Sequence, residues 1–364
     1  MDRILQYNPV ITKEEKKQLI NYLNQDYWLT ENKYTKILED EFSKILGVKH
    51  CIATNNGSVT LYLIGKSLGL RKGDEVIIPN ITMIATAYAF YNLGCKIKFV
   101  DVEKSTLCID INHLNQIISN KTKAIVFVNF SGRNPSYDIR NLLKLCKKNN
   151  IHLIEDSAHS LNSFYNKNIH HGSIGIASSF SFSPAKLITS GQGGMIATNS
   201  SKIAKFIRKY KDFGRKKPGA DFHDQEGLNY KFTDLQACIL LGQLEQYKKK
   251  SLNKKRVYKL YVKYIKQDKN KILYKFNIDL NTPWFIDIRV KNKKLLKSHL
   301  SKNGIGVRDI YPPLDSQKIF KSLNKKLLKN SYECSSDSLW LPSSIDLSEK
   351  DIKKISNLIN SFYE

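Results

Sequence analysis

At 364 residues, 41% hydrophobic and 10% aromatic, the chain carries enough apolar side chain to pack two domains or one large domain with an appendage, which excludes a disordered polymer. Lys+Arg 59 against Asp+Glu 33 give a formal net charge of +26, which favours anionic partners such as nucleic acid, acidic membrane or a phosphate-bearing small molecule. The lysines run along the whole chain without a helix-turn-helix, zinc-finger or RNA-recognition pattern, so they read as a solvated basic surface and nucleic acid is not an expected partner.

In chain order, Thr12 to Leu23 has helical spacing behind a Thr-x-x-Glu capping box, and Ile37 to Leu46 is a second amphipathic helix. An alternation follows. CIAT (Cys51 to Thr54) reads as a strand, NNGS as a turn and Val59 to Leu68 as a helix. GDEVIIP ends a strand at Pro79, Ile84 to Leu93 is helical, and KIKFVDV is the next strand. Leu114 to Ile118 is helical, KAIVFVNF is a buried strand, Ile139 to Lys148 a helix, IHLIED a strand and ASSFSF strand-like. Such alternation predicts an α/β fold with a mostly parallel sheet covered on both faces. Ala237 to Lys266 then reads as one long basic helix, followed by the strand-like WFIDIRV and helices near Leu295 to Asn303 and Glu349 to Phe362. The boundary between a large first domain (1–245) and a small second one (246–364) is placed at that helix.

The six cysteines are far apart and form no CxxC, so no metal site is expected and a reducing compartment fits them. The start MDRILQYNPV is not a signal peptide, and no apolar run reaches transmembrane length. The expectation is a soluble, cytoplasmic protein without a membrane partner.

Three segments at expected strand ends could carry chemistry, since open α/β sheets bind ligands there. In TNNGSVTLYL, Gly57 permits a tight turn, and Ser58 and Val59 offer N–H groups at a helix start, which suits phosphate. The spacing is neither a Walker loop nor GxGxxG, and an ordinary helix cap is the commoner explanation of such a stretch. In IHLIEDSAHS, Asp156 ends an apolar strand and His159 follows three residues later. A carboxylate so placed needs a cationic partner, though a helix-capping Asp beside a surface His would look the same. In SFSPAKLITSGQGG, Lys186 sits among small and hydroxylated residues, where a desolvated amine can attack an aldehyde. A phosphate cradle, a strand-end carboxylate and an amine nucleophile together are the parts that hold pyridoxal phosphate.

With those segments, the sequence resembles the DegT/DnrJ/EryC1/StrS family of sugar aminotransferases. The landmarks span nearly the whole chain: NNGSVTLYL, GDEVIIPNITMIATAYA, FVDV, IEDSAHS, SFSPAKLITSGQGGM, GLNYKFTDLQACILLGQLE, GIGVR and a late Leu341-Pro342. The resemblance implies a fold-type-I, aspartate aminotransferase-like enzyme with a smaller C-terminal α+β domain and pyridoxal 5′-phosphate as cofactor. It implies that Lys186 holds the cofactor covalently and shuttles the proton, and that Asp156 binds the pyridinium nitrogen. His159 would bond the phenolic oxygen, and Gly57, Ser58 and Ser181 the phosphate. Asn229 would reach the phosphate from the partner subunit of a homodimer with shared active sites.

Several positions depart from the family's pattern. Met83 stands where an aromatic residue often stacks on the cofactor ring, Gln192 replaces an acid and Lys231 replaces an Arg. Asn129-Phe130-Ser131-Gly132 replaces HLYG, and Asp315 stands where a His is common; both are expected near the sugar pocket. Arg308 and Lys231 are candidates for a substrate diphosphate. The resulting expectation is amino transfer from glutamate to a UDP- or GDP-linked 4-keto-6-deoxyhexose, giving a 4-amino-4,6-dideoxy sugar such as viosamine or perosamine. The rivals are a C3 aminotransferase, a cofactor-dependent sugar dehydratase (which lacks the lysine) and a non-catalytic basic binding protein.

Overall fold

The computed structural model describes residues 3–25, 28–320 and 327–364. Its elements in chain order begin with α1 (Lys13–Leu23), α2 (Lys33–Leu46), β1 (His50–Thr54), α3 (Gly57–Ser67), β2 (Glu75–Pro79), α4 (Ile84–Tyr91) and β3 (Lys96–Val100). They continue with α5 (Ile111–Ile117), β4 (Thr122–Val128), α6 (Ile139–Lys148), β5 (His152–Asp156), β6 (Phe164–Asn166), β7 (Ile169–His170) and β8 (Ala177–Ser181). After β9 (Gly194–Thr198), α7 (Ser201–Tyr210), α8 (Asp234–Glu245) and α9 (Tyr247–Tyr264), the last part holds β10 (Lys271–Leu273), β11 (Ile286–Val290), α10 (Lys293–Lys302), β12 (Arg308–Asp309), α11 (Lys329–Asp337), β13 (Ser338–Leu341) and α12 (Glu349–Ser361).

The large sheet has the order β1-β9-β8-β5-β4-β2-β3. β3, β2, β4, β5 and β8 pair in parallel, and β9 runs antiparallel to both its neighbours. Its strands are apolar on both sides, and the alternation of side chains sends them into separate cores. Val76, Ile78, Val126 and Ile154 join one cluster with α3, α4 and α7; Ile77, Ile125, Phe127 and Leu153 join another with α5 and α6. The α/β class expected from the sequence is therefore present, with its parallel strand ends gathered along one edge.

A second, antiparallel sheet has the order β10-β11-β13-β12. One core beneath it runs from Val257 to Ile359 and draws on α9, α10 and α12. A second, aromatic cluster joins Trp284, Phe285 and Trp340 to Phe130 and Ile81 of the first part of the chain.

One predicted feature differs and two elements are additional. The long helix Ala237 to Lys266 is two helices broken at Gln246 (φ −106°, ψ 1°), where the Gln246 amide bonds the Gln243 carbonyl and tightens the last turn. No Gly or Pro marks this break, and Lys250 Nζ bridges it by reaching back to Gln243 and Glu15 in the interior. The GMIAT strand β9 hides in the glycine run, and α7 is the second additional element, which Ser200 caps by accepting from the Ile203 amide at 3.3 Å.

The two sheets are tied by a buried ion pair. Arg133, after β4, meets Asp287 of β11, and both are almost wholly excluded from water. Asp287 also accepts from Trp340 Nε1 at 2.6 Å and Ser131 Oγ at 3.3 Å, while the guanidinium lies 4.3 Å from the Phe276 ring centroid. Burial lowers the Arg133 pKa to about 10, which still leaves it charged at neutral pH. Removing one partner strands a buried charge. Arg133→Met is expected to lose about 3–5 kcal/mol of unfolding free energy in guanidinium titration, and adding Asp287→Leu to recover most of that loss. Equal stability of Arg133→Met and the parent would contradict this account.

Candidate active site

The parallel strand ends define the site. β5 ends at Asp156, β8 ends at Ser181, α3 begins at Gly57, and α4 begins just after Met83. With the loop bearing Lys186, they enclose an open cavity of about 620 Å³, a size suited to a small-molecule ligand. Trp284, Arg308 and Tyr311 close it from the side of the small sheet.

Gly57 is required where it stands. A Cβ there would lie 2.8 Å from Ser181 Cβ, so a side chain would push the start of α3 off the end of β8. The Asn56 side chain caps α3 by accepting from the Val59 amide at 3.0 Å. No described residue accepts a hydrogen bond from the Gly57 or Ser58 amide, so both remain available to an anion at the positive end of the helix.

Asp156 is buried. Its Oδ2 accepts from Thr86 Oγ1 at 2.8 Å and its Oδ1 from the Ala158 amide at 3.2 Å. Burial raises its pKa against those bonds and against the attraction of Lys186. A carboxylate raised in this way is stabilised by a buried cation placed against it. His159 is buried too, and burial, then Lys186 and Arg133, hold its pKa well below 6.5, so the ring is neutral. Its Nδ1 accepts from the Ser131 amide at 3.4 Å, which leaves the ring proton on Nε2.

Lys186 is partly buried, and desolvation lowers its pKa from 10.5 to about 8 in spite of Asp156. Its ammonium stands 4.4 Å from the Trp284 ring centroid. Its carbonyl accepts from Tyr7 Oη at 3.1 Å, and the preceding Ala185 carbonyl accepts from Trp284 Nε1 at 2.7 Å. The amine is therefore near its titration point at neutral to slightly alkaline pH, on a backbone gripped from two sides.

Gly57, Ser58, Met83, Asp156, His159, Ser181, Lys186 and Arg308 thus share one cavity, with Met83 47% exposed at its rim. Gln192 also lines it; its carbonyl accepts from Ser190 Oγ and Gln236 Nε2. Three expected residues lie elsewhere. Asn229 is exposed on the segment that precedes α8, and Lys231 pairs with Asp212 at 2.7 Å. Asp315 is wholly buried, accepting from Asn80 Nδ2 at 2.9 Å and from Tyr332 Oη at 3.0 Å, so the structure does not place it on the cavity wall. Asn129 to Gly132 are likewise buried behind the cavity rather than lining it.

Thr86, Trp284 and Tyr311 face the cavity and were not singled out in the sequence. Thr86 is the third residue of an apolar helix, and its short polar side chain was the available signal. Trp284 begins the strand-like WFIDIRV, and Tyr311 lies in a stretch without a local pattern, both far along the chain.

The donor set suits pyridoxal phosphate. It offers free amides at a helix start beside a serine, a carboxylate short of a cation, a neutral N–H donor and an amine with a lowered pKa.

The sequence model of the DegT/DnrJ/EryC1/StrS aminotransferase family matches residues 9–360. Proteins named GDP-perosamine synthase from Escherichia coli O157:H7 and Vibrio cholerae are each 30% identical, with 98% of both chains covered. The fold is also that of Helicobacter pylori PseC, an aminotransferase involved in the biosynthesis of pseudoaminic acid, at TM-score 0.90, 24% identity and 98% coverage of both chains. The chain belongs to the DegT/DnrJ/EryC1/StrS aminotransferase family and is a pyridoxal phosphate-dependent sugar aminotransferase.

Proposed function

We propose that the chain moves an amino group from glutamate to a UDP- or GDP-linked 4-keto-6-deoxyhexose, giving a 4-amino-4,6-dideoxy sugar. The observation that carries amino transfer is the Lys186 amine, lowered to about 8, facing the same cavity as the Asp156 carboxyl. A dehydratase of this family lacks that lysine. The names of the two GDP-perosamine synthases support the sugar class and favour GDP.

When bound, pyridoxal phosphate supplies an aldehyde that takes the amino group and an electron-withdrawing ring. Gly57 and Ser58 would bind its phosphate with Ser181, and Asp156 would keep its ring nitrogen protonated. His159 Nε2–H would donate to its phenolic oxygen, and Met83 would pack on its ring. Lys186 Nζ would hold the cofactor at rest and carry the proton during transfer. Arg308, exposed on β12, would meet the substrate diphosphate. In this reading 1–245 bind the cofactor and 246–364 form the smaller unit. Asn229 and Lys231 would serve the cavity of a second copy in a homodimer, since both stand outside their own.

Purified protein with glutamate and UDP- or GDP-linked 4-keto-6-deoxyhexose is expected to release 2-oxoglutarate and the amino sugar, read by mass spectrometry. Lys186→Ala should lose at least about 10²-fold in rate. Absence of aminated product with either nucleotide would sink the sugar assignment.

The cofactor-free protein should take up pyridoxal phosphate covalently at a rate that rises with pH through about 8 and then levels. The neutral amine is the reactive form, and its fraction grows as pH passes the lowered pKa. A rate still climbing beyond pH 10 would contradict the depressed value.

If sites are shared, mixing inactive Lys186→Ala with inactive Asn229→Ala and allowing subunits to exchange should restore about a quarter of parental activity, because half the dimers are mixed and each has one intact site. No recovery, with exchange verified by native mass spectrometry, would place Asn229 outside the shared site.

A further inference from the structure

Trp284 has every polar group engaged, and each bond leads to the candidate machinery. Its backbone N–H donates to the Ser131 carbonyl at 3.0 Å, and the Ser131 N–H in turn donates to His159 Nδ1. Ser131 can point both groups this way because it sits in the left-handed region, at φ 53° and ψ 15°. The Trp284 carbonyl accepts from Lys254 Nζ at 2.7 Å, and its indole N–H holds the Ala185 carbonyl. The indole lies parallel to the His159 imidazole, at 3.7 Å between centroids and 10° between planes.

We propose that Trp284, anchored by Lys254, is a positioning residue that sets the plane of the His159 imidazole and the reach of the Lys186 amine together. This rests on the assignment of His159 and Lys186 to the cofactor made above.

Lys254 is suited to the anchoring role. It is 1% exposed, its ammonium also donates to the Ser343 carbonyl at 2.6 Å, and it stands 4.7 Å from the Tyr7 ring centroid. Tyr7 itself donates to the Lys186 carbonyl, so the anchor touches both grips on the reactive loop. Burial lowers the Lys254 pKa to about 7, and Asp346 opposes that shift.

Trp284 acts on Lys186 in two opposed ways. Its ring attracts the ammonium, which at a desolvated site changes proton affinity by about thirtyfold. Its bulk and its grip on Ala185 also keep water from the amine. The net lowering from 10.5 to about 8 is on the order of a few hundredfold in affinity, so exclusion of water dominates. Loosening Trp284 should therefore raise the Lys186 pKa.

The test uses cofactor-free protein and needs no sugar. Competitive acetylation with peptide mass spectrometry reads the free-amine fraction of Lys186. Nitrogen-15 spectra of histidine-labelled protein read the His159 tautomer, assigned by a His159→Gln variant. Trp284→Phe keeps a ring against His159 but loses the indole N–H; it should leave the tautomer intact and slow Lys186 labelling at pH 8 by about fivefold for a rise of one pKa unit. Trp284→Ala, or Trp284→Leu if the alanine variant is insoluble, should also abolish the single Nε2–H tautomer. Lys254→Met should resemble Trp284→Phe at Lys186, and Lys254→Arg should restore the parental profile. Unchanged Lys186 labelling in Trp284→Phe, or unchanged His159 nitrogens in the smaller variants, would overturn the proposal. A failed sugar assay would leave these readings untouched.

Discussion

Arg133 leaves the end of β4 and buries its guanidinium against Asp287 of β11, where two sheets of different construction meet. Two ions taken out of water gain little over a well-packed apolar pair, so raw stability does not explain the arrangement. Direction does. The Asp287 carboxylate also receives Trp340 of β13 and the hydroxyl of Ser131, fixing the turn after β4 against the second sheet. Ser131 then has a left-handed backbone with its carbonyl on Trp284 and its amide on His159. The charge pair sets the geometry from which the rear wall of the cavity follows.

Within the cavity, burial works on Asp156 and Lys186 from opposite sides. It raises the acid and lowers the amine, driving both toward their neutral forms, and their mutual attraction only partly restores the charges. That state suits a ligand that brings its own cation to the acid and a carbonyl to the amine. The neutral His159 completes the set, since a charged imidazole beside Lys186 would push the amine lower still.

What the sequence disclosed follows the range of each signal. Asp156 and the pair Gly57-Ser58 are strand-end and helix-start features written in a few adjacent residues, and Lys186 stood out by its small neighbours. Trp284 and Ser131 act through contacts 28 to 156 residues distant in sequence, which no local window contains. Asp315 was drawn toward the sugar pocket by its place in a motif, yet Asn80 and Tyr332 occupy its carboxylate inside the protein. The break at Gln246 was hidden for a related reason: no residue there breaks helices, and Lys250 bridges it by reaching Gln243 and Glu15.

The net charge of +26 is spread over a solvated surface, while the cavity itself holds few charged side chains. Among the described residues lining it, Lys186 and Arg308 are the cationic side chains, and Asp156 is the acidic one. Lysines beyond the rim act through water, where salt screens them within about 8 Å at physiological ionic strength. A diffuse field of this kind acts on any anion without selecting one. Direction at short range belongs to the cavity's own donors: the free amides at the start of α3, the hydroxyl of Ser181 and the guanidinium of Arg308. The many lysines set a diffuse field, and a few fixed donors set the directional chemistry of the cavity.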